Sequence, residues 1–415
     1  MSTKNETAAS TPLLGILLSL SLCHCCNDAL QAVVNSLYPI LKDDLVLSFV
    51  QIGVITLCYQ LSASILQPLM GIYLDHRPNP WFITLAACFT FSGLTCLAFA
   101  SSFWSVIASV ILVGMGSSIV HPEASRLTSL ASKGRRGLAQ SIFQVGGNLG
   151  NSIGPLLAAL VIAPYGRENT AFVALLSFVG IGASIFIARW YRGLLREEEA
   201  KRVANGECSS LENAHKKHKL VQKGDPDWIP RPYSDRRTYF YIGVLLVLIF
   251  SKYVYVASLS SYYTFFTMEK FGFTVQESQY ALFLFIFATA LGTLVGGPVG
   301  DKIGRKYVIW ASILGAAPFA LALPHLALTG TLVCSFFAGF MLSSAFPAIV
   351  ILAQELLPNR LGMISGLFFG FAFGFAGVAA AFWGGYAESH GVEALFNVAA
   401  FMPLLGIVAM LLPKR

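Results

Sequence analysis

Four polar side chains inside one apolar stretch raise the first question of chemistry. His24, Asp28, Gln31 and Asn35 recur at steps of four, three and four, which on a helix of 3.6 residues per turn gathers them within about 60° of one face. Asn27 sits at the edge of that face. A carboxylate and an imidazole facing the same way can hold and pass a proton, and the amides beside them can hydrogen-bond a small polar ligand. If the stretch crosses a membrane, a charge at its centre costs about 2.5–3.5 kcal/mol, whereas a hydrogen bond between membrane helices returns only ~0.6 kcal/mol on average. Helix packing alone is thus a poor reason for Asp28, and a functional role is expected, with His24 and a more distant histidine, His121, as sharers of its proton. For Gln31 and Asn35, ligand contact and packing are balanced.

Three further apolar runs carry polar stripes. In 103–130, Ser117, His121, Ser125 and Thr128 share a face, while Glu123 and Arg126 form an i, i+3 pair on another. The pair lies near one end of the run and suits a gate against the 71–77 turn. Pro122 removes a backbone donor, so the carbonyl of Ser118 loses its partner and a bend is expected. The run 137–163 separates into a polar stripe (Gln140, Gln144, Asn148, Asn151) and a smooth one (Gly146, Gly147, Gly150, Gly154), with Pro155 beyond. Small residues allow close helix contact, and the amides next to them suit a cavity wall. In 238–266, Ser251, Tyr255, Ser258 and Tyr262 fall on one face with Lys252 and Tyr263 beside it. These are hydroxyl donors and a cation for an anion, unless Lys252 merely snorkels. Glycines 362, 366, 370 and 374 predict a packing seam.

The elements that must position these groups follow from composition. With 55% hydrophobic and 12% charged residues over 415 positions and a mean hydropathy of +0.67, the chain exceeds what a soluble core can hold, and it reads as an all-α membrane protein. About twelve spans are expected, at 12–40, 47–74, 81–100, 103–130, 137–163 and 170–194, then 238–266, 276–300, 307–326, 328–356, 362–387 and 392–412. Six fall on each side of a polar interruption, giving a first bundle over 1–196, a cytoplasmic linker over 197–236 and a second bundle over 237–415. The net charge of +7 reports orientation rather than nucleic-acid binding. With both termini cytoplasmic, all of the 28 Lys and Arg except Lys42, Arg167, Lys252 and Lys270 fall on or beside the cytoplasmic side. No cleavable secretory signal is evident, because 8–22 runs straight into a full span.

Eight cysteines predict no metal site. Cys23, His24, Cys25 and Cys26 are consecutive on a helix and point around its axis, so they cannot converge. His215 and His218 in HKKHK read as a solvated basic run beside anionic lipid. No nucleophile–base or metal-spaced motif argues for an enzyme.

GGPVGDKIGRK at 296–306 completes the picture. Gly297, Asp301, Lys302, Gly304, Arg305 and Lys306 make a short charged turn between two apolar runs, and GIYLDHR repeats it, with Gly71 and Asp75 standing 226 positions before Gly297 and Asp301. Ser117 and Ser118 have the same offset from Ser343 and Ser344. Two six-helix halves, a basic linker and this repeated turn resemble the major facilitator superfamily. In the first turn Gly71, Asp75 and Arg77 fit, while Pro78 and Pro80 depart from the pattern. Gly150, Gly154 and Pro155 resemble the antiporter signature of the family, with Ser141, Ala158 and Ala159 where glycines are usual. Longer strings, HCCNDALQ at 24–31, HPEASR at 121–126, SIFQVGGNLGNSIGPLLAA at 141–159 and FSKYVYVASLSSYYTFF at 250–266, resemble the bacterial fosmidomycin resistance proteins within it. That resemblance implies two pseudo-symmetric bundles and a monomer in the bacterial inner membrane. It implies alternating access and proton-driven export of a small phosphonate drug, without cofactor and without nucleic acid. Expected gate residues are Asp75, Arg77, Glu123, Arg126, Asp301, Arg305 and Glu355. Expected substrate contacts are Asn27, Gln31, Gln144, Asn148, Lys252, Tyr255, Ser258 and Tyr262. A proton symporter importing a small organic anion is the alternative, and the partial antiporter signature argues against it.

Overall fold

A computed structural model describes residues 13–76, 79–133, 136–204, 230–358 and 361–413, and every regular element among them is helical. The long helices are α1 Leu14–Ser36, α2 Phe49–His76, α3 Phe82–Ala98, α4 Phe103–Ala131, α5 Arg136–Leu157 and α6 Leu176–Ala204. The second set is α7 Asp235–Phe271, α8 Val275–Ile303, α9 Arg305–Ala322, α10 Leu328–Leu356, α11 Leu361–His390 and α12 Val392–Ala399, which continues as a 3-10 helix over Met402–Leu411. Among the described residues, eleven spans are long and apolar enough to cross a membrane. The remaining expected span, α3, has 17 residues, a rise of about 25 Å, which falls just short of a full hydrocarbon core. Residues 205–229 of the expected linker lie outside the described residues, and α6 runs on to Ala204, past the expected boundary at 196.

Local chemistry sets where the helices break. Pro39, lacking an N–H, ends the regular bonding of α1, and a short helix Tyr38–Asp44 follows. Pro155 leads into a π-helical turn at Ala158–Ile162, where backbone carbonyls are freed from their usual partners. Pro122, by contrast, leaves α4 continuous from Phe103 to Ala131.

Within the first half α1 packs on α5 and α2 on α4; within the second, α7 packs on α11 and α8 on α10. The halves meet through α2 against α11 and through α5 against α8, a twofold-related pair of contacts. At the end holding the 272–274 loop and Gly391, this meeting is tight. The Phe49 N–H donates to Glu388 Oε2 (2.6 Å), Gln276 Nε2 to the carbonyl of Ala159 (2.9 Å) and Gln279 Nε2 to that of Ser36 (2.9 Å). Val33, Leu37, Tyr38 and Ile52 share one apolar core with Tyr262, Phe266, Ala379 and Trp383. Gly53 and Gly384 permit it, since a Cβ at either would run into backbone across the α2–α11 contact.

At the other end, where α2 ends at His76 and α8 gives way to α9 at Gly304, the halves stand apart. Ile65 and Leu69 of α2 are exposed, and a Cβ on Gly370 or Gly374 would meet nothing within 4 Å. The expected glycine seam of α11 is therefore absent at those two positions; the surroundings of Gly362 and Gly366 lie outside the described residues. The seam is built instead from Gly377 and Gly384, one to four turns further along. The smooth face of α5 does pack: Cβ atoms on Gly146, Gly150 and Gly154 would all strike α1.

This contrast predicts a paired result. Gly150→Ala should destabilise the detergent-solubilised protein by about 1–3 kcal/mol, read as a lower melting temperature, while Gly370→Ala should leave the melt unchanged or slightly raise it.

Candidate functional site

The close α1–α5 approach brings three ionisable side chains together. Asp28 of α1 lies one turn below His24 of the same helix and faces His121 of α4: His24 Nε2 is 3.3 Å from Asp28 Oδ2 and His121 Nε2 is 3.5 Å from Asp28 Oδ1. Two amides complete the shell. Asn27 Nδ2 donates to Asp28 Oδ1 (3.2 Å) and Asn151 Nδ2 to Asp28 Oδ2 (3.0 Å). Each carboxylate oxygen thus has one imidazole and one amide. Asp28 is 6% exposed and His24 2%, whereas the His121 side chain is 27% exposed and forms the open side of the cluster.

Both rings are held by their far nitrogens. His24 Nδ1 is 2.9 Å from the carbonyl oxygen of Phe143, and the Phe143 ring stacks on the imidazole at 4.1 Å between centroids. His121 Nδ1 is 3.0 Å from the carbonyl oxygen of Ser117, one turn earlier. A carbonyl can only accept, so each Nδ1 carries a hydrogen, and in a neutral ring Nε2 is left with its lone pair. Two lone pairs therefore point at a carboxylate. A contact of that kind is favourable only when a proton lies in at least one of the gaps, so the geometry is that of a cation-holding site.

Beyond the cluster, Gln31 Oε1 accepts from the Tyr59 hydroxyl of α2 (2.7 Å), leaving Gln31 Nε2 buried and unpartnered, as is Asn148 Nδ2 of α5. Gln144 on the same helix is exposed. In the second half Lys252 of α7 is 5% exposed. Its ammonium lies over the rings of Tyr253 (5.0 Å) and Phe346 (5.2 Å), with no ion pair among the described residues. The Tyr255 hydroxyl is also buried and unpartnered. The rest of that expected face is spent on packing. Ser251 Oγ donates to the carbonyl of Met402 (2.7 Å), Ser258 Oγ to that of Tyr255 in its own helix (2.7 Å), and the Tyr262 hydroxyl to that of Ala380 (2.7 Å). Ser258 and Tyr262 are fully buried there, and their hydroxyls, though they donate to these carbonyls, keep acceptor lone pairs.

Comparison with known proteins gives this arrangement a family. The sequence profile of the Major Facilitator Superfamily matches residues 20–278 and 240–415. The chain belongs to the major facilitator superfamily. It is 48% identical over 410 residues to the Fosmidomycin resistance protein of Escherichia coli K12, covering 99% of this chain and 95% of that one. It is 32% identical to the uncharacterized MFS-type transporter YfnC of Bacillus subtilis strain 168, covering 99% and 96%. Its fold matches a mutant form of the nucleoside transporter NupG, with a TM-score of 0.72 at 13% identity over 95% of this chain and 99% of that one. This superfamily member is a multi-pass membrane transporter, not an enzyme.

Among the described residues, its charged pairs lie within each half. Arg126 donates to both carboxylate oxygens of Glu123 (2.9 and 2.7 Å) and to the Tyr191 hydroxyl (2.9 Å). Arg305, at the start of α9, pairs with Glu355 near the end of α10. The side chains of Asp75 and Asp301, and Arg77 as a whole, lie outside the described residues. Gly150 and Gly154 let α5 pack on α1, and Pro155 precedes the π turn.

Sequence spacing finds Asp28, His24, His121 and Asn151. It misses Phe143, whose carbonyl and ring orient His24, because an apolar residue signals nothing about its backbone. It misses Thr90, whose hydroxyl donates to Asn27 Oδ1 (3.4 Å), and Tyr59; both are polar residues in apolar helices and offer that much of a signal.

A buried, unpaired cation should be a liability for the fold. Lys252→Met, which keeps the length and removes the charge, should raise the melting temperature of the purified protein, equivalent to about 1–3 kcal/mol.

Proposed function

We propose that this transporter exports fosmidomycin, a small phosphonate carrying a hydroxamate, from the cytoplasm across the bacterial inner membrane in exchange for protons. It works as a monomer of two bundles, 1–196 and 237–415, with both termini cytoplasmic. The substrate assignment is supported by 48% identity along nearly the whole chain to a relative named for resistance to that drug. The proton assignment is carried by one observation, the Asp28 carboxylate set between two imidazole nitrogens whose hydrogens are committed elsewhere.

Alternation follows from charge. With two neutral rings the cluster is an anion inside the membrane, and one proton among Asp28, His24 and His121 makes it neutral. The empty carrier turns with that proton bound, and the cluster releases it to the cytoplasm before the loaded carrier turns, so that proton and drug cross in opposite directions. His121, on the exposed side, passes the proton on. The loaded carrier turns with the drug anion neutralised by Lys252, and the donors of Gln31, Gln144, Asn148 and Tyr255, with Asn27 at the edge, orient it. Basic-residue distribution puts the parted end of the halves on the cytoplasmic side, so the conformation described is the one that loads drug. Asp75, Arg77, Asp301 and Arg305, with the pairs Glu123–Arg126 and Arg305–Glu355, close that end in the opposite state.

Reconstituted vesicles test the direction of coupling. An acid lumen should drive accumulation of labelled fosmidomycin; accumulation driven by external acid would instead establish proton symport. Asp28→Asn should insert normally and lose the response to the pH gradient, and a retained response would remove Asp28 from the mechanism.

Lys252→Met should raise the drug concentration for half-maximal exchange at least tenfold, a loss of about 1.4 kcal/mol or more in binding. Unchanged half-saturation would place the drug elsewhere.

A further inference from the structure

We infer that His24, Asp28 and His121 also form a binding site for a borderline divalent transition-metal ion, of which Zn2+ is the type. The donor set is two imidazoles and a carboxylate, which suits such an ion and leaves room for water in a further position. The tautomers are already correct. Because Nδ1 of each ring faces a backbone carbonyl, both Nε2 lone pairs are free to coordinate, and those carbonyl contacts are the outer-shell support that zinc-binding histidines use to fix ring orientation. The spacing also fits. Metal–ligand bonds of about 2.0–2.1 Å in a tetrahedron put neighbouring donor atoms about 3.3 Å apart; His24 Nε2 is 3.3 Å from Asp28 Oδ2 and His121 Nε2 is 3.5 Å from the other oxygen, Oδ1. All three donors lie within 4.8 Å of one another. The remaining gap is closed by rotation of His121, the exposed member, while His24 is pinned between the Phe143 ring and its carbonyl. Asn27 and Asn151, donating to the two carboxylate oxygens, hold Asp28 turned toward both rings.

The inference rests on donor geometry and stands apart from the transport reading, since it concerns occupancy of the site and not flux. Among the described residues the converging donor group is His24, Asp28 and His121, without a thiol. Cys23 Sγ points to the carbonyl of Gly180 on α6 (3.3 Å), away from the cluster.

Chelator-stripped, purified full-length protein in detergent, with His215 and His218 replaced by alanine to remove the HKKHK run, is the sample for the test. Zn2+ is titrated in competition with a chromophoric chelator, and melting curves are recorded with and without the metal. One Zn2+ per chain should bind and raise the melting temperature. His121→Ala and His24→Ala should each weaken binding at least tenfold and abolish the thermal shift, and replacing Cys23, Cys25 and Cys26 together by serine should change neither. Co2+ in place of Zn2+ should give visible ligand-field bands without a thiolate charge-transfer band. Failure to bind one equivalent would overturn the inference. So would binding that survives both histidine substitutions, or binding lost with the cysteines. His121→Gln, the milder change, serves where alanine prevents folding.

Discussion

A carboxylate inside a membrane helix bundle is the constraint from which the rest of this structure follows. Asp28 is tolerable only if its charge is answered locally, and the answer comes from three helices at once: His24 and Asn27 on α1, His121 on α4 and Asn151 on α5. That requirement sets the packing. The carbonyl of Phe143 can reach His24 only if α5 lies almost in contact with α1, and the glycines at 146, 147, 150 and 154 remove every Cβ that would prevent it. The small residues of the fifth helix and the polar residues of the first are one device seen from two sides.

The second half answers a different need. It holds a lone ammonium over two aromatic rings and, among the described residues, has no counterpart of the Asp28 cluster. The halves are alike in topology and contacts, with α2 on α11 matched by α8 on α5, yet unlike in chemistry. One carries a site suited to a small cation, the other a site suited to an anion. On the exchange proposed above, the two loads are held in different halves.

Much of this was legible in the sequence. Periodicity places His24, Asp28, Gln31 and Asn35 on one face because a helix fixes that relation without help from tertiary structure. The same rule places Gly146, Gly150 and Gly154, and the structure puts all of them against α1. Reading fails where a residue's role depends on its neighbours. Ser258 and Tyr262 share a face with Tyr255, but only the packing shows that their hydroxyls have carbonyl acceptors and that of Tyr255 has none. Gly370 and Gly374 have the spacing of a seam and lack one, since the helix they would meet stands apart at that end. Glycine spacing says that an approach is permitted; it does not say that one occurs. Phe143 shows the converse, a backbone group with a specific task under a side chain that looks like filler.

The irregular turn after Pro155 has a consequence of its own. Regular membrane helices consume their carbonyls internally, but the π segment and the end of α1 each lend one outward, from Ala159 and Ser36, to glutamines of α8. Drawing the bundles apart at that end strips both oxygens of their donors, and nothing in hydrocarbon can replace them. Water must arrive as the glutamines leave. Wetting and parting at this rim are therefore coupled, because each freed carbonyl needs a new donor.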